Sequence, residues 1–156
     1  MSLTDDLRQW RAPFAPPSPA ELADRLAVSQ LVKIYALGID MRDYELCRSA
    51  FADDTYIEGS ASSGPIDEYL PKTYGGAAAF MATQHNITNQ HVTIDGDEAL
   101  VWSYAIAVHK SEPGSGRDNL TLGVQYRDRC RRTPKGWVIA GRKVAFQWAE
   151  KTSSGE

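Results

Sequence analysis

Residues 85 to 148 read as extended chain almost throughout, and this run constrains the fold more than any other feature. "HNITNQHVTI", "ALVWSYAIAVHK", "LTLGVQYRDRCRR" and "WVIAGRKVAFQW" are rich in β-branched and aromatic residues. They are separated by "DGDE", by the polar loop "SEPGSGRDN" and by "TPKG", with Asp95-Gly96-Asp97 giving a hairpin signal. A run of long antiparallel strands follows. On "ALVWSYAIAVHK" the residues Val101, Ser103, Ala105, Ala107 and His109 share one face, and Leu100, Trp102, Tyr104, Ile106 and Val108 share the other. The small face leaves room for a cavity. The bulky face calls for helices or a neighbouring subunit to cover it.

Ahead of the strands the periodicity is helical. "APFAPPSPAE" is too rich in proline to be helical, which makes residues 1–17 an extended arm. At "SPAE" Ser18 can cap, Pro19 suits the first helical position, and Glu21 completes a capping box. Leu22, Leu26, Leu31, Val32, Tyr35 and Ile39 then recur at helical spacing, so the helix should run to about Asp40. A short helix over "YELCRSAF" follows, capped by Asp43, and "TYIEG" reads as a short strand. Residues 60–74 are dense in turn formers and read as a loop, and "GGAAAFMATQ" as a small helix ending before His85. Helices first and strands afterwards argue for one α+β domain over residues 18–149, with 150–156 as a disordered tail.

The chain has 156 residues, enough for one full core, and its 17 basic and 20 acidic residues include no basic block, which argues against nucleic acid as a partner. Cys47 and Cys130 match no metal or redox spacing and read as reduced thiols. The first residues are acidic and proline-punctuated where a secretory leader would be basic and then apolar, and no apolar run approaches the ~18 residues of a membrane span. These features point to a cytoplasmic protein without membrane contact. Three histidines without carboxylates at ligand spacing, and no glycine-rich phosphate loop, give no reason to expect a metal or cofactor.

"ATQHNITNQHV" holds two of those histidines, His85 and His91, six residues apart. On a regular strand both would point the same way, and a bulge between them would send them to opposite faces.

"LADRLAVSQLVKIYALGIDMRDYELCRSAFADD", "TQH" opening a strand, the "DGD" hairpin and "YRDRCRRTPKGWVIAGRKVAFQW" together resemble the SnoaL-like branch of the NTF2-like superfamily, over roughly residues 20–149. That branch includes scytalone dehydratase, bile-acid 7α-dehydratase and hexachlorocyclohexane dehydrochlorinase. The resemblance implies a cone in which a strongly curved antiparallel sheet wraps the long helix around an apolar cavity. It implies Asp40 and His85 as the catalytic pair, His109 as a further catalytic histidine and Tyr35 as a hydrogen-bonder to substrate. It places Val124, Tyr126, Val144 and Phe146 at cavity-lining positions, and Ile39, Phe80, Ala105 and Ala107 complete the expected lining. Ile39 and Gly59 stand where scytalone dehydratase has its water-ordering tyrosines, and the short tail has no counterpart of that enzyme's lid. Scytalone itself is therefore not carried over as substrate.

Elimination beside an acidic C–H needs a base that works near neutrality, and an imidazole oriented by a carboxylate supplies one. A carboxylate at the C-terminal end of a helix opposes the macrodipole, so Asp40 wants a partner. Asp40–His85 is the expected base, His109 the expected acid, and His91 a solvent-facing bystander. Tyr35, five residues before Asp40, is rotated about 140° around the helix and would flank the cavity. The expected reaction is a dehydratase-type elimination on a small apolar or aromatic hydroxylated compound. An isomerase or cyclase using the same base is an alternative. So is a non-catalytic ligand-binding or structural subunit of the kind found in ring-hydroxylating dioxygenases. Trp102 and Tyr104 on the outer sheet face call for a homo-oligomer, a trimer by the resemblance or else a dimer. Arg129, Arg131 and Arg142 read as a solvated face.

Overall fold

The computed structural model describes residues 17–155, so the expected N-terminal arm falls almost wholly outside them. Helix α1 spans Pro19–Asp40, with the Ser18 hydroxyl accepting from the Glu21 N–H and Pro19 in the first turn. Helix α2 spans Tyr44–Ser49, capped by the Asp43 carboxylate on the Leu46 N–H. The two helices meet closely: a Cβ on Gly38 would lie 2.4 Å from the Cys47 backbone nitrogen, so only glycine allows this approach. Strands β1 (Phe51–Glu58) and β2 (Ser63–Pro65) lead into α3 (Ile66–Ala78). Strands β3 (Ala82–Asp95), β4 (Glu98–Lys110), β5 (Asn119–Thr133) and β6 (Gly136–Thr152) complete the chain.

The strands form one six-stranded sheet in the order β2-β1-β6-β5-β4-β3. This corrects the expectation of a strongly curved, purely antiparallel sheet. The sheet is mixed and open, because β1 runs parallel to β6 and β2 and β3 stand at its two edges. Long-range contacts hold β1 there. The Ile139 N–H donates to the Ala50 carbonyl at 2.8 Å, and the buried Thr55 hydroxyl donates to the Ile139 carbonyl at 2.7 Å. No local pattern around "TYIEG" could announce a partner more than eighty positions away in the chain.

Two further expectations change. Residues 60–74 hold β2 and most of α3 rather than a loop, although α3 contains Pro71 and the pair Gly75-Gly76. Burial of Ile66, Leu70 and Ala77 on one side of α3 outweighs those weak helix formers. At the other end, β6 continues to Thr152, so residues 150–152 belong to the strand. Their backbone pairs with Asn119–Thr121 of β5 instead of forming a tail.

The core lies between the helices and the small-residue face of the sheet. Val28, Leu31, Val32 and Ile39 of α1 meet Val101 and Ala105 of β4, Val124 and Cys130 of β5 and Ile139 of β6. Cys47 and Cys130 are both buried and unpaired. On β4 the residues Val101, Ser103, Ala105, Ala107 and His109 are buried, while Tyr104 and Ile106 on the opposite face are 38% and 40% exposed. None of the described helices is long and apolar enough to cross a membrane.

Candidate active site

The end of α1 meets the start of β3, and the contact is built around one carboxylate. Asp40 Oδ1 lies 2.7 Å from His85 Nδ1, and Asp40 Oδ2 accepts the His85 backbone N–H at 2.7 Å. The Thr83 hydroxyl donates to Asp40 Oδ1 at 2.9 Å. Arg42 closes the junction from outside. Its backbone adopts a left-handed conformation (φ 60°), and its guanidinium donates to the Ile39 carbonyl, the Phe80 carbonyl and the Thr83 hydroxyl at 2.9, 3.1 and 3.0 Å. The helix end that a carboxylate should disfavour is thus compensated by Arg42 and by the donors aimed at Asp40.

Because Nδ1 faces a carboxylate oxygen, it carries a proton, and in that tautomer the lone pair of the ring lies on Nε2. The His85 side chain is only 6% exposed. Burial pushes the Asp40 carboxyl up, but the hydrogen bonds from the His85 ring, the His85 backbone and Thr83 outweigh it and hold Asp40 below its usual range. A shallow bulge between Ile87 and Gln90 then separates the two strand histidines. His85 pairs with Ala107 toward the helices, whereas His91 is exposed and pairs with Trp102 on the outer face.

His109 is buried, and its ring centroid lies 5.8 Å from that of His85. Its Nδ1 lies 3.2 Å from the Leu120 carbonyl, which can only accept, so Nδ1 is the protonated nitrogen. Burial, and then the neighbouring His85, push the His109 pKa below its ordinary value. His109 thus stands beside His85 with its Nδ1 proton committed to the Leu120 carbonyl. The Phe80 ring packs against it at 4.9 Å.

Tyr35 is buried, 6.5 Å ring to ring from His85 and 5.8 Å from Tyr126. Burial and the neighbouring Tyr126 raise the Tyr35 pKa, so its hydroxyl keeps its proton. Behind the two tyrosines lies a pair that sequence reasoning missed. Arg142 donates to Asp128 twice, at 2.6 and 2.8 Å, with both side chains 2% exposed. Its guanidinium sits over the rings of Tyr35, Tyr126 and Phe51 at 4.5, 4.5 and 5.0 Å. Arg142 is therefore not on a solvated face. The bulge between Arg129 and Cys130 breaks the alternation that would have kept it in phase with Arg129 and Arg131.

The other expected lining residues divide. Ala105, Ala107, Val124 and Tyr126 are buried on the inner face, and Val144 is partly buried against the core. Ile39 is core, beside the pair in sequence but packed at 1% exposure. Phe146 is 50% exposed and is not brought to the site, because β6 is exposed throughout from Phe146 to Thr152. Thr83 and Arg42 were missed as site-building residues. Both lie inside the motifs "TQH" and "ID-x-RD", where spacing alone gives them no role.

Asp40 and His109 set the same sign of pH dependence. Each has a folded pKa below its ordinary value, so the stability each contributes is complete above the unfolded pKa and is lost as pH falls through the folded one. The melting temperature should fall in two stages on acidification: first just below the ordinary histidine range, then below the carboxylate range. Thermal melts of the parent and of His109→Gln across pH check this, and the first stage should be absent in the variant.

A family model described as a SnoaL-like domain matches residues 20–143. An uncharacterized protein of Mycobacterium tuberculosis is 33% identical over 132 residues, which span 80% of this chain and 86% of that one. A provisional scytalone dehydratase from Novosphingobium aromaticivorans superposes with a TM-score of 0.75 at 21% identity, covering 85% of this chain and 89% of the other. A hexachlorocyclohexane dehydrochlorinase from Novosphingobium barchaimii gives a TM-score of 0.73 at 15% identity, covering 85% and 92%. Both structures establish likeness of fold.

Proposed function

Since the chain belongs to the SnoaL-like family of the NTF2-like superfamily, we propose that it is a cofactor-independent lyase that removes water from a small apolar or aromatic hydroxylated compound. The observation that carries this reading is the buried His85 ring held through Nδ1 by Asp40, with Nε2 left free. In the proposed reaction His85 Nε2 takes the proton from an acidic C–H. The C–H electrons become the new double bond, the C–O bond breaks, and the leaving oxygen departs as water with the proton that His85 returns to it. Asp40 keeps the tautomer and stabilises the imidazolium between the two transfers. One imidazole can thus serve as base and then as acid. This relieves His109 of the acid role and leaves its Nε2 to accept a hydrogen bond from the substrate hydroxyl. Tyr35, protonated, would donate to a substrate oxygen, and Phe80, Ala105, Ala107, Val124 and Tyr126 would supply apolar walls. Elimination enzymes of the same fold, the dehydrochlorinase among them, support the reaction class.

The test is native mass spectrometry of freshly purified protein, followed by incubation of any retained molecule with the enzyme in deuterated water. A lyase should yield a product lighter by one water. An isomerase or cyclase would return a product of unchanged composition. A binding or structural subunit would return the molecule untouched, and either result overturns the lyase reading.

A further inference from the structure

Helix α1 ends with the Met41 N–H on the Leu37 carbonyl and the Asp43 N–H on the Gly38 carbonyl, both at 2.9 Å. The left-handed residue that closes such an end is ordinarily glycine, because a Cβ is strained there. Here it is Arg42, and among the described residues no other non-glycine residue has a positive φ. Strain of this kind persists where the side chain is needed. Arg42 stands two positions from Asp40 in the chain, yet among the described residues its guanidinium meets no carboxylate and reaches Asp40 only through the Thr83 hydroxyl. Thr83 and His85, two apart on β3, share a strand face, so both come to the same oxygen, Asp40 Oδ1, at 2.9 and 2.7 Å. A guanidinium can only donate. The Thr83 oxygen therefore accepts from Arg42 at 3.0 Å, and its single proton goes to Asp40. The line of donors runs one way, from Arg42 to Thr83 to Asp40.

We propose that Thr83 and Arg42 are positioning residues for the His85 base: Arg42 fixes the Thr83 hydroxyl as a donor, and the hydroxyl holds Asp40 Oδ1 in place while weakening its pull on the Nδ1 proton. The proposal rests on the reading of Asp40 and His85 as the base of the lyase. Hydrogen bonds in a chain polarise one another, so a cation at the far end makes the hydroxyl a better donor and the shared carboxylate oxygen a weaker acceptor. An oxygen left to the ring alone would draw harder on Nδ1 and favour the imidazolium, which cannot take another proton. Shared, it orients the ring and leaves it able to act. A mere tie between α1 and β3 would place no such demand on the hydroxyl, and this is where the two roles part.

The test needs no substrate. In the whole protein with isotope-labelled histidine, the His85 Nδ1–H should give a downfield proton resonance, assigned by its loss in His85→Ala, that lies further downfield the stronger its acceptor. Thr83→Val keeps the shape and removes the hydroxyl, so it should move the resonance downfield. Arg42→Met should move it the same way by less, since the hydroxyl remains but is no longer polarised. Thr83→Ser should return it to the parent's position. If Arg42→Met does not fold, the two Thr83 variants decide alone. An unmoved or upfield resonance in Thr83→Val, or a Thr83→Ser that behaves like Thr83→Val, would overturn the proposal and leave the base assignment standing. A parent ring protonated on Nε2 and not on Nδ1 would overturn both.

Discussion

His85→Ala should lower turnover of the substrate by about 10²–10⁴-fold, the usual worth of a positioned general base, while leaving the far-ultraviolet spectrum and melting temperature close to the parent's. Asp40→Asn should come close to the same loss by a different route. Its amide can still meet the ring, but it no longer stabilises the imidazolium and can impose the wrong tautomer. The two variants should differ in their pH profiles. Asp40 is held below the usual carboxylate range, so in the parent it stays ionised through the weakly acidic region. Any acidic fall in rate near neutrality must then come from an imidazole, and it should move or flatten in Asp40→Asn. Asp40→Ala is a poor substitute, because it also removes the acceptor of the His85 backbone N–H and of the Thr83 hydroxyl. If His85→Ala turned over at the parent's rate, the assignment of the base would be wrong.

Arg142→Met should destabilise the protein by about 3–5 kcal/mol, because it removes the ion-pair partner of an Asp128 carboxylate that is only 2% exposed. Replacing both partners, Arg142→Met with Asp128→Leu, should recover most of that loss, since a buried ion pair is worth little more than well-packed apolar side chains of similar size. Denaturant melts of the two single variants and the double variant measure the coupling directly. Additive losses would show that the pair does not act as a unit. The guanidinium also lies against Tyr35 and Tyr126, so the double variant should bring lower turnover even where stability returns.

What could be read from the chain depended on whether the cause was local. The Ser18 cap and the Pro19 start sit within a few residues of what they determine and appear as expected, and the apolar spacing of α1 holds from Leu31 to Ile39, whereas Leu22 and Leu26 are 50% and 59% exposed. The inward face of β4 was legible for the same reason, as its alternation is complete from Val101 to His109. The approach of Asp40 to His85 was reached through family resemblance, because nothing in the spacing of two residues so far apart specifies a contact. The parallel seating of β1 beside β6, and the coupling of Arg142 to Asp128, depend on tertiary placement and on bulges that shift the register. Helix α3 was obscured by its own composition. Pro71, Gly75 and Gly76 argue against a helix until the buried sites for Ile66 and Leu70 are known.

The left-handed turn at Arg42, with its guanidinium knitted to Ile39, Phe80 and Thr83, has a kinetic corollary. The His85 ring, the base of the proposed reaction, has no orienting carboxylate until the first helix has docked on the sheet, a closure over a long stretch of chain. A collapsed intermediate with native helices and strands but loose docking would be inert. Catalytic competence should therefore switch on late in refolding, together with fixed side-chain order and not with secondary structure.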